Sequence, residues 1–587
     1  MADFIPILLK DSRIAKISDK IVYGVQSSGS QSTFQQFQAT SSSNSSIVFS
    51  CPIPSENILV SRYALLQTKL CFTIAISGVP EDAVAFQYGL SDSLNAFPLH
   101  QLCSQMQLTI NNCSTSTNVA DVLPLLLRLT DTNELNKNSM YTPSFIDSAY
   151  GSYRDGIGAN NNPLSAFTNS GLDNDYEGRG AFPVDLSVQH FIDGVGSPDT
   201  SVISTGESDT WKIVVNCDLT EPFLTLSPFL SCPMATNDAG LLGINQLSII
   251  MNIDATCKRL FSTGNTFVET DNGIPVLKSY IKSIRLGSDA QPSGFTDTKL
   301  LLQFLSLAPE QYAKISTKNC VPYLEYPRYI SQSNNQSTVL PGATYSFTSN
   351  SIQLSVIPDL ILICCRVPLS QQTWANTSSF LTINSISVNF NNTSGLLSSC
   401  NQVDLFNISK RSGSTQKWNE FRGFSNTNDT SDPPTGGVKR VSTTGSILAL
   451  NPSNDFNLPS WLACGSLGSF NLQFNVNITN QFDFGIQPEL VVVTVQSGVL
   501  QTIAGSSSIF TGLLTKEAVL ATKAGQHQVA DKKEYERLVG GQMCNHGSSN
   551  VHHLLERFKV AGGNMSAGAM CGGSSASVKS KLSKLVM

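Results

Sequence analysis

The chain is poor in charge, in histidine and in long apolar runs, and each shortage closes off a class of function. Only 14% of the 587 residues are charged, against roughly 25% in an average soluble domain. A surface that sheds charge yet stays polar suits a protein whose faces end up against copies of itself. A secreted β-sandwich has the same composition, so composition alone leaves both open. Six histidines are present (His100, His190, His527, His546, His552 and His553), and no GxSxG, HExxH, P-loop or GxGxxG context accompanies them. The sequence therefore offers no catalytic residues, no cofactor site and no metal set, and the chain reads as a non-enzyme. Asn160–Asn162 and Asp173–Asp175 lack the ligand alternation of a calcium loop and read as turns. Cys544 and His546, near His552 and His553, lack the paired spacing of a zinc site.

No stretch approaches the roughly 18 apolar residues of a membrane span. The N-terminal apolar run, Phe4 to Leu9, is broken by Pro6 and is too short for a signal-peptide core. The fourteen cysteines are scattered, several within strand-like runs (Cys71, Cys364, Cys365), and are expected to be reduced, buried thiols. The net charge of −6 is uneven: from residue 511 on, ten Lys and Arg face five Asp and Glu, so the tail is +5 and the body −11. An acidic body argues against a nucleic-acid groove, and the tail's charge is dilute.

What the sequence does contain is repetition. Ile386, Val388 and Phe390 alternate with polar residues, the mark of a strand with one buried face, and stop at Asn391-Asn392, a turn-tolerant pair. Met106, Leu108 and Ile110 do the same into Asn111-Asn112, 280 positions earlier. LSIIMNID (247–254) likewise matches LQFNVNIT (472–479) at an offset of 225. Two matches in the same order indicate two copies of one β-module, the first with longer loops.

Strands are expected at Ser46–Ser50, Ala64–Ile76, Cys103–Ile110, Trp211–Asp218, Leu247–Ile253, Val276–Leu286 and Lys299–Leu307. In the second copy they are expected at Tyr345–Val356, Leu360–Val367, Leu381–Phe390, Ser446–Leu450, Phe470–Ile478 and Leu490–Ile503. Many short strands between turns indicate sandwiches or barrels. The runs Leu360–Val367 and Leu490–Val495 are apolar on both faces, as in doubly covered strands. The segment after Asn392, through Trp418, is weakly helical, with Leu405, Phe406 and Ile408 as anchors. Long polar loops at 135–207 and 424–438 call for a function. The expected domains are an N-terminal arm (1–44), a first module (45–315), a second (316–505) and a flexible basic tail with short helices (506–587).

The stretches GLLSSCNQVDLFNISKRSGSTQKWNEFRG, GSILALNPSNDFNLPSWLACG, LQFNVNITNQ and HQLCSQMQLTINNCS…DVLPLLLRL resemble double jelly-roll major capsid proteins of polinton-like viruses, adintoviruses and virophages. The resemblance covers about residues 45 to 505. It implies an all-β fold of two tandem eight-stranded jelly rolls, an N-terminal arm and a partly helical, Gly-rich tail. It also implies a homotrimeric, pseudo-hexameric capsomer in an icosahedral shell. Its partners would be neighbouring capsomers, penton and minor capsid proteins, with no sequence-specific nucleic acid. The protein would lie in the virion, assembled in the host cytoplasm or nucleus. The long loops would be outer towers, with Tyr141, Tyr150, Tyr153 and Tyr176 in inter-subunit or host-receptor contacts. Trimer contacts are expected from the long first-module loop and from 395–423.

In the tail, Leu538-Val-Gly-Gly541 before Gln542 and Met570-Cys-Gly-Gly573 before Ser574 resemble sites of adenovirus-type maturation proteases; extended Gly-containing segments fit a protease cleft. Gly541, Gln542, Gly573 and Ser574 are thus candidate cleavage residues. Val560-Ala-Gly-Gly563 departs from that pattern. The competing reading is a lectin or adhesin, which would bring a signal peptide and disulfides.

Overall fold

The computed structural model describes residues 31–512 apart from 56–57, 81–83, 89–91, 145, 147–181, 183, 191–200, 204–209, 231–239, 265, 307–317, 333–337, 378, 429–437, 459–461 and 504. The first module contains strands β1 (Gln31–Gln38), β2 (Ser46–Pro52), β3 (Ile58–Ser77), β4 (Cys103–Ile110) and β5 (Cys113–Thr117), then helix α1 (Val119–Leu127). It continues with β6 (Asp185–His190), β7 (Thr210–Pro222), β8 (Gln246–Ile253), β9 (Ile281–Leu286) and β10 (Phe295–Ser306). One sheet runs β1-β10-β3-β7-β6, with β9 also on β3, and the other contains β2-β8-β4-β5. All these pairings are antiparallel. Alternate residues of both sheets point into one core, Phe49, Leu108 and Ile249 from one, Phe72, Ile213 and Leu302 from the other.

The second module repeats this plan. Its strands are β11 (Lys318–Glu325), β12 (Arg328–Ser331), β13 (Thr344–Thr348), β14 (Ile352–Val356), β15 (Leu360–Arg366), β16 (Thr382–Phe390) and β17 (Thr393–Leu396). Helix α2 (Gln402–Arg411) follows, then β18 (Leu448–Leu450), β19 (Leu467–Thr479), β20 (Glu489–Ile503) and β21 (Ser506–Thr511). β20 is bordered by β11, β12 and β21 and pairs with β15, which pairs with β18; β13 and β14 share β19, which pairs with β16, and β16 with β17. The fold is a double jelly roll.

The repeat holds at the level of register. Ile110 lies opposite Leu247 and Met106 opposite Met251; Phe390 lies opposite Leu472 and Ile386 opposite Val476. Offsets of 280 and 225 carry one set onto the other. Asn111 and Asn391 both turn at φ 50°, left-handed geometry that Asn accepts better than other non-glycine residues. In both turns the Asn N–H donates to the facing strand, to Gln246 O at 2.9 Å and Asn471 O at 2.8 Å. The side-chain oxygen accepts in return, from Asn245 N in one and Asn471 N in the other, at 2.8 Å each.

The strand expectations need two corrections. Val276–Leu286 is divided at Tyr280: Ile274–Ser279 pairs in a hairpin with Thr266–Asp271, while β9 joins β3. Tyr345–Val356 is divided where Ser349 steps out of the ladder and exchanges two hydrogen bonds with Phe474, at 2.8 and 2.9 Å. Among the strands in stretches with no expected strand are β1 in the arm, β11 at the join and β21 at the start of the tail, together with β5, β6, β12 and β17. β1 and β11 are the same element of the repeat, each leading its module, β1 pairing with β10 and β11 with β20. Pro322 hides β11 from a propensity reading, yet an edge strand tolerates proline.

Candidate assembly site at the junction of the modules

Helix α1, VADVLPLLL, is apolar on nearly every side, which a helix can afford only when it is covered all round. Val119, Leu123 and Leu127 point into the first core. Val122, Leu125 and Leu126, with Leu129, cover Leu360, Leu362 and Cys364 of β15 and Val491, Val493 and Val495 of β20. This accounts for the apolar run expected to be buried on both faces: all seven residues of β15 are buried, one face in its own core and the other beneath the first module. Burying side chains of this size contributes roughly 1.5–3 kcal/mol each.

Charges line the margin of this apolar contact. Asp121 of α1 accepts from Arg366, at the end of β15, and from Arg328 of β12. Arg366 Nε donates to Glu489 at 2.9 Å, whose other oxygen accepts from Gln332 at 2.6 Å. Burial opposes the charge on Arg366, but Asp121 and Glu489 hold its guanidinium above the ordinary value. Pro124 adds a backbone acceptor. Having no N–H, it leaves the Ala120 carbonyl, four residues back, without its helical partner. That carbonyl accepts from Arg259 at 2.6 Å and from Arg366 at 3.5 Å. Nearby, Arg128 lies 3.5 Å from Glu420 across the junction and over the Phe380 ring at 5.2 Å. Burial raises the Glu420 carboxyl against the pull of Arg128.

The backbone itself also bridges the modules. Residues 489–495 of β20 pair with β15 and β12 in the second module, whereas 496–503 pair with β11 and β21. Val321, Tyr323 and Leu500 of that latter sheet belong to the first module's core. Thr502 Oγ1 donates to Leu242 O at 2.6 Å, and Ser507 N to Asn112 Oδ1 at 2.8 Å. At a separate point, Trp374 Nε1 donates to Cys257 O at 3.2 Å and Lys258 Nζ to Ser370 O at 2.7 Å. Gly485 fits against the hairpin tip because a Cβ there would lie 2.6 Å from Thr338 Cγ2 and 2.8 Å from Ile274 Cγ2.

On the counterpart face of the first module several large side chains are exposed. Phe34, Gln303 and a stretch of β3 that includes Tyr63 lie side by side across β1, β10 and β3. Phe34 is 72% exposed and Tyr63 49%, with Met140 (81%) and Tyr141 (56%) also on the surface. On the second module α2 presents Val403, 51% exposed, and keeps Leu405 and Ile408 in its own core with Phe406 packed against it, as its three expected anchors require.

Of the sequence candidates, Gly541, Gln542, Gly573 and Ser574 lie outside the described residues, as do Tyr150, Tyr153, Tyr176, His527, His546, His552 and His553, and the clusters at 160–162 and 173–175. Among the described residues no group of three or more His, Cys, Asp and Glu is placed to hold a metal ion, and all eleven described cysteines are free thiols. Burial pushes the thiols of Cys51 and Cys257 to about 12, far from the thiolate form that reacts. His100 and Glu221 form a sealed structural pair: both side chains are 0% exposed. The Glu221 carboxylate accepts from Leu99 N, His100 N and Thr142 Oγ1 at 2.9, 3.1 and 3.0 Å, and lies 2.6 Å from His100 Nδ1.

The ion network was not foreseen from sequence. Its members do carry a signal: Asp121, Arg366 and Glu489 are single charges set in or against apolar runs, and a charge that close to a buried run needs a partner.

Residues 2–305 match the family model described as the first domain of the Sputnik virophage major capsid protein, and residues 326–498 match that of the major capsid protein V20 C-terminal domain. A putative capsid protein V20 of Sputnik virophage is 27% identical over 560 residues, covering 93% of this chain and 86% of the relative. In fold, the chain is similar to one in the cryo-EM structure of the Sputnik virophage (TM-score 0.71, 24% identity, 90% and 98% covered). It is also similar to the mavirus major capsid protein crystal structure (TM-score 0.58, 15% identity, 88% and 96% covered).

Proposed function

The chain belongs to the Sputnik virophage major capsid protein family, and on that premise we propose that this viral major capsid protein works as a homotrimer. Two jelly rolls per copy then give a pseudo-hexameric capsomer with six barrel-like corners, and one kind of chain tiles an icosahedral shell. The observation that carries this reading is the junction. Two modules of matching register are held by an apolar helix, a buried ion network and a strand common to both, so one chain is a rigid pair of near-equivalent units. Closed cyclic symmetry makes each contact between such units heterologous and self-completing.

The first-module face around Phe34 and Tyr63 and the outer side of α2 are where a neighbouring copy would continue the pattern set within one chain. This is consistent with trimer contacts in 395–423 and in the long first-module loop, which contains Tyr141. Further partners are neighbouring capsomers, penton and minor capsid proteins, with a host receptor met by the outer loops. The place of action is the virion, after assembly in the host cytoplasm or nucleus. The acidic body, −11 outside the tail, favours no sequence-specific nucleic-acid contact. A maturation protease is proposed to cut after Gly541 or Gly573; full-length chain in the intact mass of purified particles would rule that out.

Light scattering on the expressed chain tests the assembly. A species near three times 63.2 kDa that survives dilution is expected, and the double variant Phe34→Ser, Tyr63→Asp should fold but run as a monomer. A wild-type monomer that no co-expressed capsid component converts to a trimer would contradict the proposal.

A further inference from the structure

A cavity of about 20 Å³ lies at the junction, between the end of α1, the short helix Pro98–Leu102 and the second module's Thr377. That is room for one water-sized guest. Its wall carries two guanidinium groups, Arg128 and Arg259, only 3% and 6% exposed, together with Asn95, Gln101 and Thr377.

Arg259 donates to Ala120 O and to Gln101 Oε1, at 2.6 Å each, both neutral acceptors. Among the described residues no carboxylate forms an ion pair with it, because the neighbouring acids are committed elsewhere. Asp121 holds Arg366 and Arg328, Glu489 holds Arg366, and Glu420 faces Arg128. Asp254 also favours the charge on Arg259, without forming an ion pair with it. Burial, and after it the adjacent Arg366, pulls the Arg259 guanidinium down to about 10, so it stays cationic at neutral pH. A buried charge without a direct ion-pair partner is costly, and a guanidinium has five N–H donors, of which Arg259 uses two on the protein.

We propose that this cavity is a binding site for one monovalent anion of chloride size, held between the Arg259 and Arg128 guanidiniums and closed on one side by the second module. The volume excludes phosphate and larger anions, and the lining excludes a cation. The anion gives Arg259 the direct ion-pair partner it lacks on the protein and so favours the assembled pair of modules; this inference does not rest on the capsid reading.

Bromide is the probe. Crystals of the full chain grown in sodium bromide should show an anomalous peak in the cavity that disappears when chloride replaces bromide. Density for water alone, with no bromide signal, would overturn the proposal. In solution, raising chloride a hundredfold against gluconate, which cannot enter, at constant ionic strength should raise the wild-type Tm by about 2–4 °C. Equal Tm in the two salts would count against the site. Arg259→Gln should abolish the chloride dependence; because that substitution also removes two buried hydrogen bonds, Thr377→Leu, which fills the cavity and keeps both arginines, provides the second arm with the same expected loss. Retention of the full dependence in Thr377→Leu would place the anion elsewhere and refute the assignment.

Discussion

Helices α1 and α2 occupy the same place in their modules, each after the hairpin closed by the Asn turn, and they begin alike: Asn118-Val-Ala-Asp121 and Asn401-Gln-Val-Asp404. In α2 the motif is a capping box. Asn401 Oδ1 accepts from Val403 N and Asp404 N, and Asp404 accepts from Asn401 N, so the exposed N-terminus satisfies itself. In α1 the Asn118 side chain makes no cap, and Asp121 is turned instead to Arg366 and Arg328 of the other module. The rest of each helix follows suit, apolar all round in α1 and amphipathic in α2. One sequence device thus serves local helix stability where the helix is exposed and inter-module attachment where it is buried. Duplicated modules diverge at the surfaces they turn to each other, while register and turns stay fixed.

The sharpest way to break this comparison is to remove the two aspartates in turn. Asp121→Ala leaves Arg366 and Arg328 facing a buried gap and should cost about 3–5 kcal/mol in denaturant unfolding. Asp404→Ala should cost only about 1 kcal/mol, the value of a cap. Equal costs would mean that the two positions do the same job. Next come the apolar faces: Leu125→Ala should cost about 2–5 kcal/mol, whereas Val403→Ala on the outer side of α2 should stay within about 0.5 kcal/mol. The Asn turns test what the modules keep in common. Asn111→Ala and Asn391→Ala should each cost about 1–2 kcal/mol, from positive φ and lost hydrogen bonds; values that differ by more than about 1 kcal/mol would argue against equivalent turns.

The smallest effect concerns pH. Burial raises the folded-state pKa of Glu420, so in the window above the ordinary carboxylate value the folded chain holds this proton more tightly than the unfolded one. Its contribution to stability is present below that window and is lost as pH rises through the raised pKa. The slope should flatten in Glu420→Gln, measured against the wild type between pH 4 and neutral (roughly). An unchanged slope would assign the dependence to another group.

Much of the fold was legible because period-2 alternation and paired asparagines are local signals; Met106–Ile110 and Ile386–Phe390 announce both strand and turn. The resemblance to capsid proteins was carried by segments that form β4 and α1 in the first module and α2, β18 and β19 in the second. The junction was far less legible. DVLPLLLRL contains Pro124 and lacks polar alternation, so its helical state depends on cover from both modules. Arg366 meets Asp121 only after folding, across 245 positions of sequence, and Glu489 across 123. β1, β11 and β21 are edge strands whose identity comes from the strands they pair with, not from their own polar composition.

The central claim is that one chain is a rigid pair of equivalent units completing a six-cornered ring in threes. Two-dimensional class averages of the purified oligomer by electron microscopy test it directly. The account predicts a hexagonal outline with threefold symmetry and six barrel densities at equal spacing. Averages in which the two modules of a chain sit at variable angles, or a ring of any other symmetry, would contradict it.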